Sequence, residues 1–335
     1  MEVGKIETNK STKEVGMGQK ISNITQKYGV IIAFVLLVII ISIASPQFFT
    51  TSNFMTLLRQ ASVNGLIAFG MTLVIITAGI DLSVGSTLAL TGALFAGMVV
   101  NLHVPIPIAL VITLVFGLFL GLVSGLLVGK AKLQPFIATL ITFTVYRGLT
   151  LIYMDGRPIS NLASEEYAMS GLLKFIGGGS VLGIPVPVII LFVAFIFFYI
   201  LLNKTVIGRS IYAVGSNEKT ARLSGINTTR IKLFVYSVSG IMAALAGLIL
   251  VSRLNSAQPT LGMGYALDAI AAVAIGGTSM EGGRGKITGT LLGVLIIAVL
   301  SNGMNILGIS SYFQDVVKGV VILIAVLADR RKLSK

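Results

Sequence analysis

Ten apolar stretches follow one another along this 335-residue chain, and they limit its folding more than any other feature. They run roughly over residues 28–45, 61–80, 84–102, 106–129, 134–154, 184–203, 233–252, 266–278, 287–307 and 311–328. A bilayer core needs about 20 mostly apolar residues per helix, and most of the ten are close to that length. The eighth is short and ends in glycines, and the second and third are joined by only a few residues. Both places are expected to hold broken or re-entrant helices. Only 11% of residues are charged, where a soluble domain has about a quarter. A water-soluble enzyme of this size would have almost nothing to place on its surface. The expected fold is therefore all-α, a polytopic membrane protein of about ten transmembrane helices. Hydrophilic tails over 1–27 and 329–335 flank a membrane domain over 28–328.

A single His and no Cys leave no disulfide and no thiolate metal site. Most of the 12 acids fall outside the apolar stretches, so no catalytic residue, metal or cofactor is expected. The formal charge of +13 would suit nucleic acid, but its distribution points elsewhere. With the N-terminus inside, Lys5, Lys10, Lys13, Lys20, Lys27, Lys130 and Lys132 are cytoplasmic. So are Lys204, Arg209, Lys219, Arg222, Arg230, Lys232, Arg284, Lys286, Arg330, Arg331, Lys332 and Lys335. Only Arg59, Arg157, Lys174 and Arg253 fall outside, with Arg147 and Lys318 inside spans. This is the positive-inside asymmetry, which supports an N-in, C-in chain and explains the charge without nucleic acid. The first apolar stretch lacks an A-x-A site after Ser45, so it reads as an uncleaved helix. With no Trp, interfacial anchoring is expected from Tyr28, Tyr199 and Tyr236 inside and from Phe48, Phe49, Tyr153 and Tyr312 outside.

Gly117, Gly121, Gly125 and Gly129 recur every four residues, and Gly285, Gly289 and Gly293 repeat the pattern. Such spacing gives one helix face that another backbone can approach closely. Packing within one subunit is expected, with a homodimer seam as the alternative. Ionisable groups in spans are functional candidates. Asp81, in TAGIDLSVGS, reads equally as a helix-capping turn, with Asp81 or Ser83 satisfying free amides, and as a mechanical element. Asp315 and Lys318 are three apart and are expected to pair on one helix. Arg147 is expected to snorkel outward, and His103 to be a solvated loop residue. Asn64, Thr72, Thr77, Asn302, Asn305 and Gln314 could hydrogen-bond a neutral solute or one another, without the desolvation cost of a charge.

GGRGKIT, ending at Thr288, approaches a phosphate-binding loop, but Ile287 follows Lys286 and Met280 occupies the first glycine position. ATP, if used, is hydrolysed on another chain. The longest connections are 155–183 and 204–232. Within the second, Asn217 to Leu223 is expected to form a short helix capped by Ser216 or Asn217 and stopped by Gly225. A short helix on that face suits docking into a partner's cleft.

Four stretches carry a resemblance: GMTLVIITAGIDLSVGS (70–86), QPFIATLITFTVYRGLT (134–150), YAVGSNEKTARLSGIN (212–227) and SAQPTLGMGYALDAIAAVAIGGTSMEGGRG (256–285). From about residue 28 onward the chain resembles the permease subunits of bacterial binding-protein-dependent ABC sugar importers. That resemblance implies a homodimeric permease in the bacterial inner membrane, paired with ABC ATPase subunits and supplied by an extracytoplasmic sugar-binding protein. It implies that Gly215, Asn217, Glu218, Ala221, Ser224 and Gly225, in the cytoplasmic loop 204–232, couple to the ATPase. The turns holding Asp81, Ser83 and Gly85 and holding Gly276 and Gly277 look like matching inner-face points of two similar halves, as in that family. The SAQPT and LDAIAAV runs are of the ribose type. Ribose is thus the implied solute, with galactose, xylose, arabinose or a furanosyl signal molecule left open.

The implied mechanism is alternating access driven by the partner ATPase. Selectivity would rest largely on the binding protein, so the permease alone should hold free sugar weakly or not at all. The rivals are an ion-coupled secondary transporter, which usually carries midplane carboxylates, and a passive channel or scaffold.

Overall fold

Residues 17–167 and 169–333 are described in the computed structural model of the chain; 1–16 and 334–335, the outer parts of the two expected tails, lie outside the described residues. Inside a bilayer each backbone N–H and C=O must find a partner within the protein, and a helix achieves this within one segment. The chain accordingly forms α1 (Met17–Ala44), a 3-10 turn (Pro46–Phe49), α2 (Thr51–Ile76), α3 (Val84–Val100), α4 (Ile106–Gly129) and α5 (Pro135–Tyr153). After these come α6 (Ser170–Gly178), α7 (Val186–Lys204), α8 (Val206–Ser216), α9 (Glu218–Leu223) and α10 (Thr228–Leu254). The chain finishes with α11 (Tyr265–Ile275), α12 (Ile287–Ile306) and α13 (Ser311–Leu333). Two small antiparallel pairs join β1 (Ile159–Ser160) to β4 (Ser256–Ala257) and β2 (Ser180–Val181) to β3 (Ile184–Pro185).

Each of the ten apolar stretches falls on a helix. Among the described residues α2, α4, α5, α7, α10 and α12 are long and apolar enough to cross a membrane, while Val30–Ala44, α3 and α11 are shorter apolar helices. Both expected breaks are present: residues 77–83 separate α2 from α3, and α11 stops at Ile275 before an irregular stretch over 276–286. α2 begins at Thr51 rather than near residue 61. The Thr50 side chain accepts from the Asn53 amide (3.4 Å), so the helix starts in polar sequence that hydropathy alone leaves out.

α2 and α10 form the centre. The most apolar window of α2 is 83% buried and that of α10 72%, against 33% for α4 and 28% for α5. The rim helices turn Ile112, Val115, Phe119, Ile141, Phe192 and Phe197 outward, where lipid would cover them. α4 lies on α10 along its glycine stripe. A Cβ at Gly121 would strike the Tyr236 carbonyl, and one at Gly125 would lie 3.0 Å from Leu233 Cα. Gly240 of α10 returns the contact against Gly117. The stripe thus lies against a helix of the same chain. Gly289 and Gly293 serve α12 against Gly276 and Ala272 in the same way, while Gly285 lies before the helix against Thr278.

The connections sort to two ends. At one end Thr229 donates to Gly129 O (3.2 Å), Gly283 N donates to Ile76 O (2.9 Å) and Tyr212 donates to Gly285 O (2.8 Å). These bonds gather 77–83, 130–134, α8–α9 and 276–286, with Lys132, Lys219, Arg222 and Lys232. At the other end β1 pairs with β4, and the Ala163 amide donates to the Asn255 side chain (2.7 Å). Two expected anchors are corrected: Tyr236 and Phe48 are buried at 1% and 7% exposure, so neither faces a membrane interface. Each sits on a side of its helix that packs against neighbours, a distinction that span boundaries do not carry. Tyr153, Tyr199, Phe49 and Tyr312 are exposed.

Candidate functional site: a coupling unit and a polar cavity

The loop singled out in sequence folds as two short helices. Thr205 caps α8, accepting from Gly208 N (3.0 Å). Asn217 then ends α8 and starts α9, its side chain accepting from Thr220 N (2.9 Å); of the two expected caps it is this one that forms. Gly225 follows with φ +83, a left-handed conformation that a glycine accepts without steric cost and that ends the helix. Ser224 donates its hydroxyl to Thr220 O (3.1 Å), and Ala221 is the buried residue of α9.

α8 and α9 are wedged against the two breaks. A Cβ at Gly215 would collide with the Ile76 carbonyl and come within 2.7 Å of Gly283 N. Gly282 lies against Ala78, and Gly283 against Ser216. The turns of the two broken segments thus meet each other and α8 at one place. Glu218 ties α9 to α10: Lys232 donates to it at 2.7 Å, and Arg222 reaches it from one turn on at 3.4 Å. Partial burial by itself raises the Glu218 carboxyl. The hydrogen bond and charge of Lys232, the Thr228 hydroxyl and the charge of Arg222 outweigh it, so the group lies below its ordinary 4.5. Two clefts flank the pair, one of about 340 Å³ reaching Thr77, Gly79 and Tyr236, the other of about 500 Å³ reaching Lys132, Gln134 and Lys219.

Asp81 lies deeper than a surface turn. Its Oδ1 accepts from the Ser83 amide (3.0 Å) and hydroxyl, and its Oδ2 from Ser239 of α10 (2.9 Å). Ser239 is eleven residues into α10, about 16 Å along the axis at 1.5 Å per residue. Thr139 of α5 donates to Ile80 O (3.1 Å). Ser83 is the N-cap of α3 but makes no side-chain cap bond; Asp81 takes the Ser83 amide just ahead of the helix and holds the α2–α3 break to the central helix. Gly85 allows the loop at Gly262 to touch α3, and Gly276 sits on Gly289 while Gly277 takes φ +80. Ser239 and Lys232 were not singled out in sequence; a Ser and a Lys carry no local sign of a partner this far away.

The six polar candidates part company. Thr72 bonds Thr290 of α12 (2.8 Å), Thr77 donates to Val74 O (2.8 Å), and Asn302 exchanges amide bonds with Asn53 at 2.7 and 3.0 Å. Asn64, Asn305 and Gln314 instead line one cavity of about 230 Å³, with Asp268, Ser301 and Lys318. Gln314 donates to Asn305 Oδ1 (2.8 Å). The expected Asp315–Lys318 pair is corrected: Lys318 Nζ reaches Asp268 Oδ2 of α11 at 3.0 Å, while Asp315 is exposed. Spacing of three permits a pair on one helix, but α11 packs beside α13 and offers a more buried partner. Arg147 donates to Pro259 O in place of free snorkelling. His103 is exposed in its loop, 4.0 Å from Glu166.

Apolar rim helices around a largely apolar core crossed by interhelical hydrogen bonds, with broken segments brought to one end, define a multi-pass membrane protein. The chain belongs to the family of permease components of branched-chain amino acid transport systems, which matches residues 53–326. It is similar to the ribose import permease protein of Bacillus subtilis (strain 168), 57% identical over 92% of this chain and 94% of that one. The ribose import permease protein of Escherichia coli (strain K12) is 50% identical over 90% of this chain and 93% of its own. The L-arabinose transport system permease protein of the same strain is 38% identical over 92% of each chain. No solved structure matches. With its apolar helices, these relationships place the chain among multi-pass proteins of the bacterial inner membrane.

Proposed function

We infer that this chain is the membrane-spanning permease subunit of an ATP-driven importer whose solute is a monosaccharide, D-ribose. The solute rests on the relatives named for ribose, which are more similar than the one named for arabinose. The mechanism rests on one observation: the wedge of Gly215 between Ile76 and Gly283. A partner ATPase that grips α8–α9 would push on both broken segments at once. The grip falls on Asn217, Glu218, Ser224 and Gly225, with buried Gly215 and Ala221 carrying it inward, at the basic end, which the positive-inside rule assigns to the cytoplasm. An extracytoplasmic sugar-binding protein delivers solute at the opposite end, and two copies of the chain form the working permease. Nucleotide binding and hydrolysis on the partner then alternate access to a path through the helices.

Labelled ribose uptake into proteoliposomes tests this, with chain, ATPase partner, external binding protein and internal ATP each omitted in turn. Uptake should need all four. Uptake that persists without ATP and collapses with an uncoupler would replace this reading with ion-coupled transport; downhill flux independent of nucleotide would replace it with a passive channel.

A further inference from the structure

The outer end carries a small apolar knob. β2 and β3 pair Ser180 with Pro185 and Val181 with Ile184, leaving Leu182 and Gly183 as a two-residue turn. Both turn residues are left-handed, at φ +51 and +81. Asn-Gly is the usual choice for such a turn, and a bulky apolar side chain is disfavoured at its first position. Here that position holds Leu182, 98% exposed. Val181, Ile184 and, on α6, Phe175 are exposed as well. Lys174 is the only charged residue between Met169 and Val186, so the segment is not composed as an ordinary hydrated loop. The knob is firmly held. Arg59 of α2 donates to Gly178 O (3.3 Å), and the Val186 amide donates to Gly179 O (3.0 Å). A Cβ at Gly177 would strike the backbone of Ser252 and Arg253 in α10. A residue set against its local preference, fully exposed and rigidly presented, marks a place where something docks.

Size sets two occupants aside. α7 has 19 residues, about 28 Å at 1.5 Å per residue, which already fills a hydrocarbon core of about 30 Å. β3 runs straight into α7 at Val186, so the turn stands beyond the lipid tails. Four side chains fall far short of the about 800 Å² that each member of a stable dimer buries, so a second copy gains little here. A partner that comes and goes needs only a few well-placed anchors. Arg253, packed against α6, also lines the cavity of about 230 Å³, so a protein seated on the knob stands beside that cavity.

We propose that the β2–β3 hairpin, with Leu182 at its tip, is an anchor for the extracytoplasmic sugar-binding protein and seats in an apolar pocket on that protein. The proposal rests on the importer reading for the identity of the partner and names the contact that holds it.

The permease–ATPase complex in nanodiscs is titrated with ribose-loaded ribose-binding protein. Asn tolerates the left-handed turn, so Leu182→Asn should keep the thermal midpoint of the wild type. Its Kd for the binding protein should rise about ten- to hundredfold, the range for burial of one Leu side chain. Because the chain has no Cys, Leu182→Cys can carry a polarity-sensitive dye, with Lys132→Cys at the cytoplasmic end as the comparison. Emission from the dye at 182 should shift to the blue when the binding protein is added, and emission from the dye at 132 should not. Equal affinity of Leu182→Asn and wild type would overturn the hairpin contact and leave the importer reading standing; no binding by the wild type would overturn both. A dye at 182 that is already blue-shifted and indifferent to the binding protein would overturn the proposal and assign the knob to lipid or to a second copy.

Discussion

Gly215 leaves no room for a side chain. A Cβ there meets the Ile76 carbonyl and the Gly283 nitrogen, both backbone groups that cannot swing aside. Gly215→Val should therefore shift the two turns or expel α8, costing at least the about 1–3 kcal/mol typical of overpacking. Its measurable outcome is membrane insertion near normal with loss of transport and of ATPase stimulation; normal stimulation would remove the wedge from the mechanism. Glu218 offers a pH test. Its folded carboxyl lies below 4.5, so its contribution to stability is present in full above that value and lost as pH falls through the folded value. The thermal midpoint of the wild type minus that of Glu218→Gln should be positive and constant from neutral pH to about 4.5, then shrink below it. A difference that grows on acidification would reverse the sign. At this scale little was legible in sequence. Asn217 and Gly225 announce a cap and a stop because caps are local; Lys232 for Glu218, and Asp268 for Lys318, are choices made by helix packing.

Helices pair through polar clamps as well as glycine faces. Asn53 and Asn302 exchange two amide bonds between α2 and α12, at 3.0 and 2.7 Å. A double-mutant cycle with Asn53→Ala and Asn302→Ala should give a coupling energy of about 0.6–1.7 kcal/mol, the span found for side-chain bonds between membrane helices. Additive single effects would show the clamp to be inert. The existence of the ten apolar helices was readable because lipid demands a long apolar run, and the breaks were readable because a run too short, or a join too brief, cannot hide. α2 starts in polar sequence, where the Thr50 cap decides and hydropathy is blind. Nor did hydropathy give the face each helix shows: Tyr236 and Tyr199 look alike in sequence, yet one is at the centre and the other faces out. The candidate polar residues followed the same division, three sharing a cavity and the others joined to neighbouring backbone or helices.

For the whole molecule, the separation of loops into two ends makes sidedness measurable. In a chain without Cys, Arg157→Cys, beside β1, and Lys132→Cys, beside α9, lie at opposite ends. An impermeant thiol reagent added to spheroplasts, with the outer membrane removed, should label Arg157→Cys directly and Lys132→Cys only after permeabilisation. The reverse pattern would invert the orientation and with it the site of ATPase docking. α10 connects these ends. It carries Lys232 against Glu218, Ser239 against Asp81 and Gly240 against Gly117, and Asn255, at its far cap, holds the Ala163 amide. Its 27 residues make a rod about 40 Å long. One residue inserted near its middle would turn everything beyond by about 100° and advance it by about 1.5 Å, so these engagements could not all be kept. The length of this helix is consequently the least negotiable dimension in the protein, whereas the exposed turn at 155–158, ahead of the β1–β4 pair, can change in length without disturbing any of these engagements.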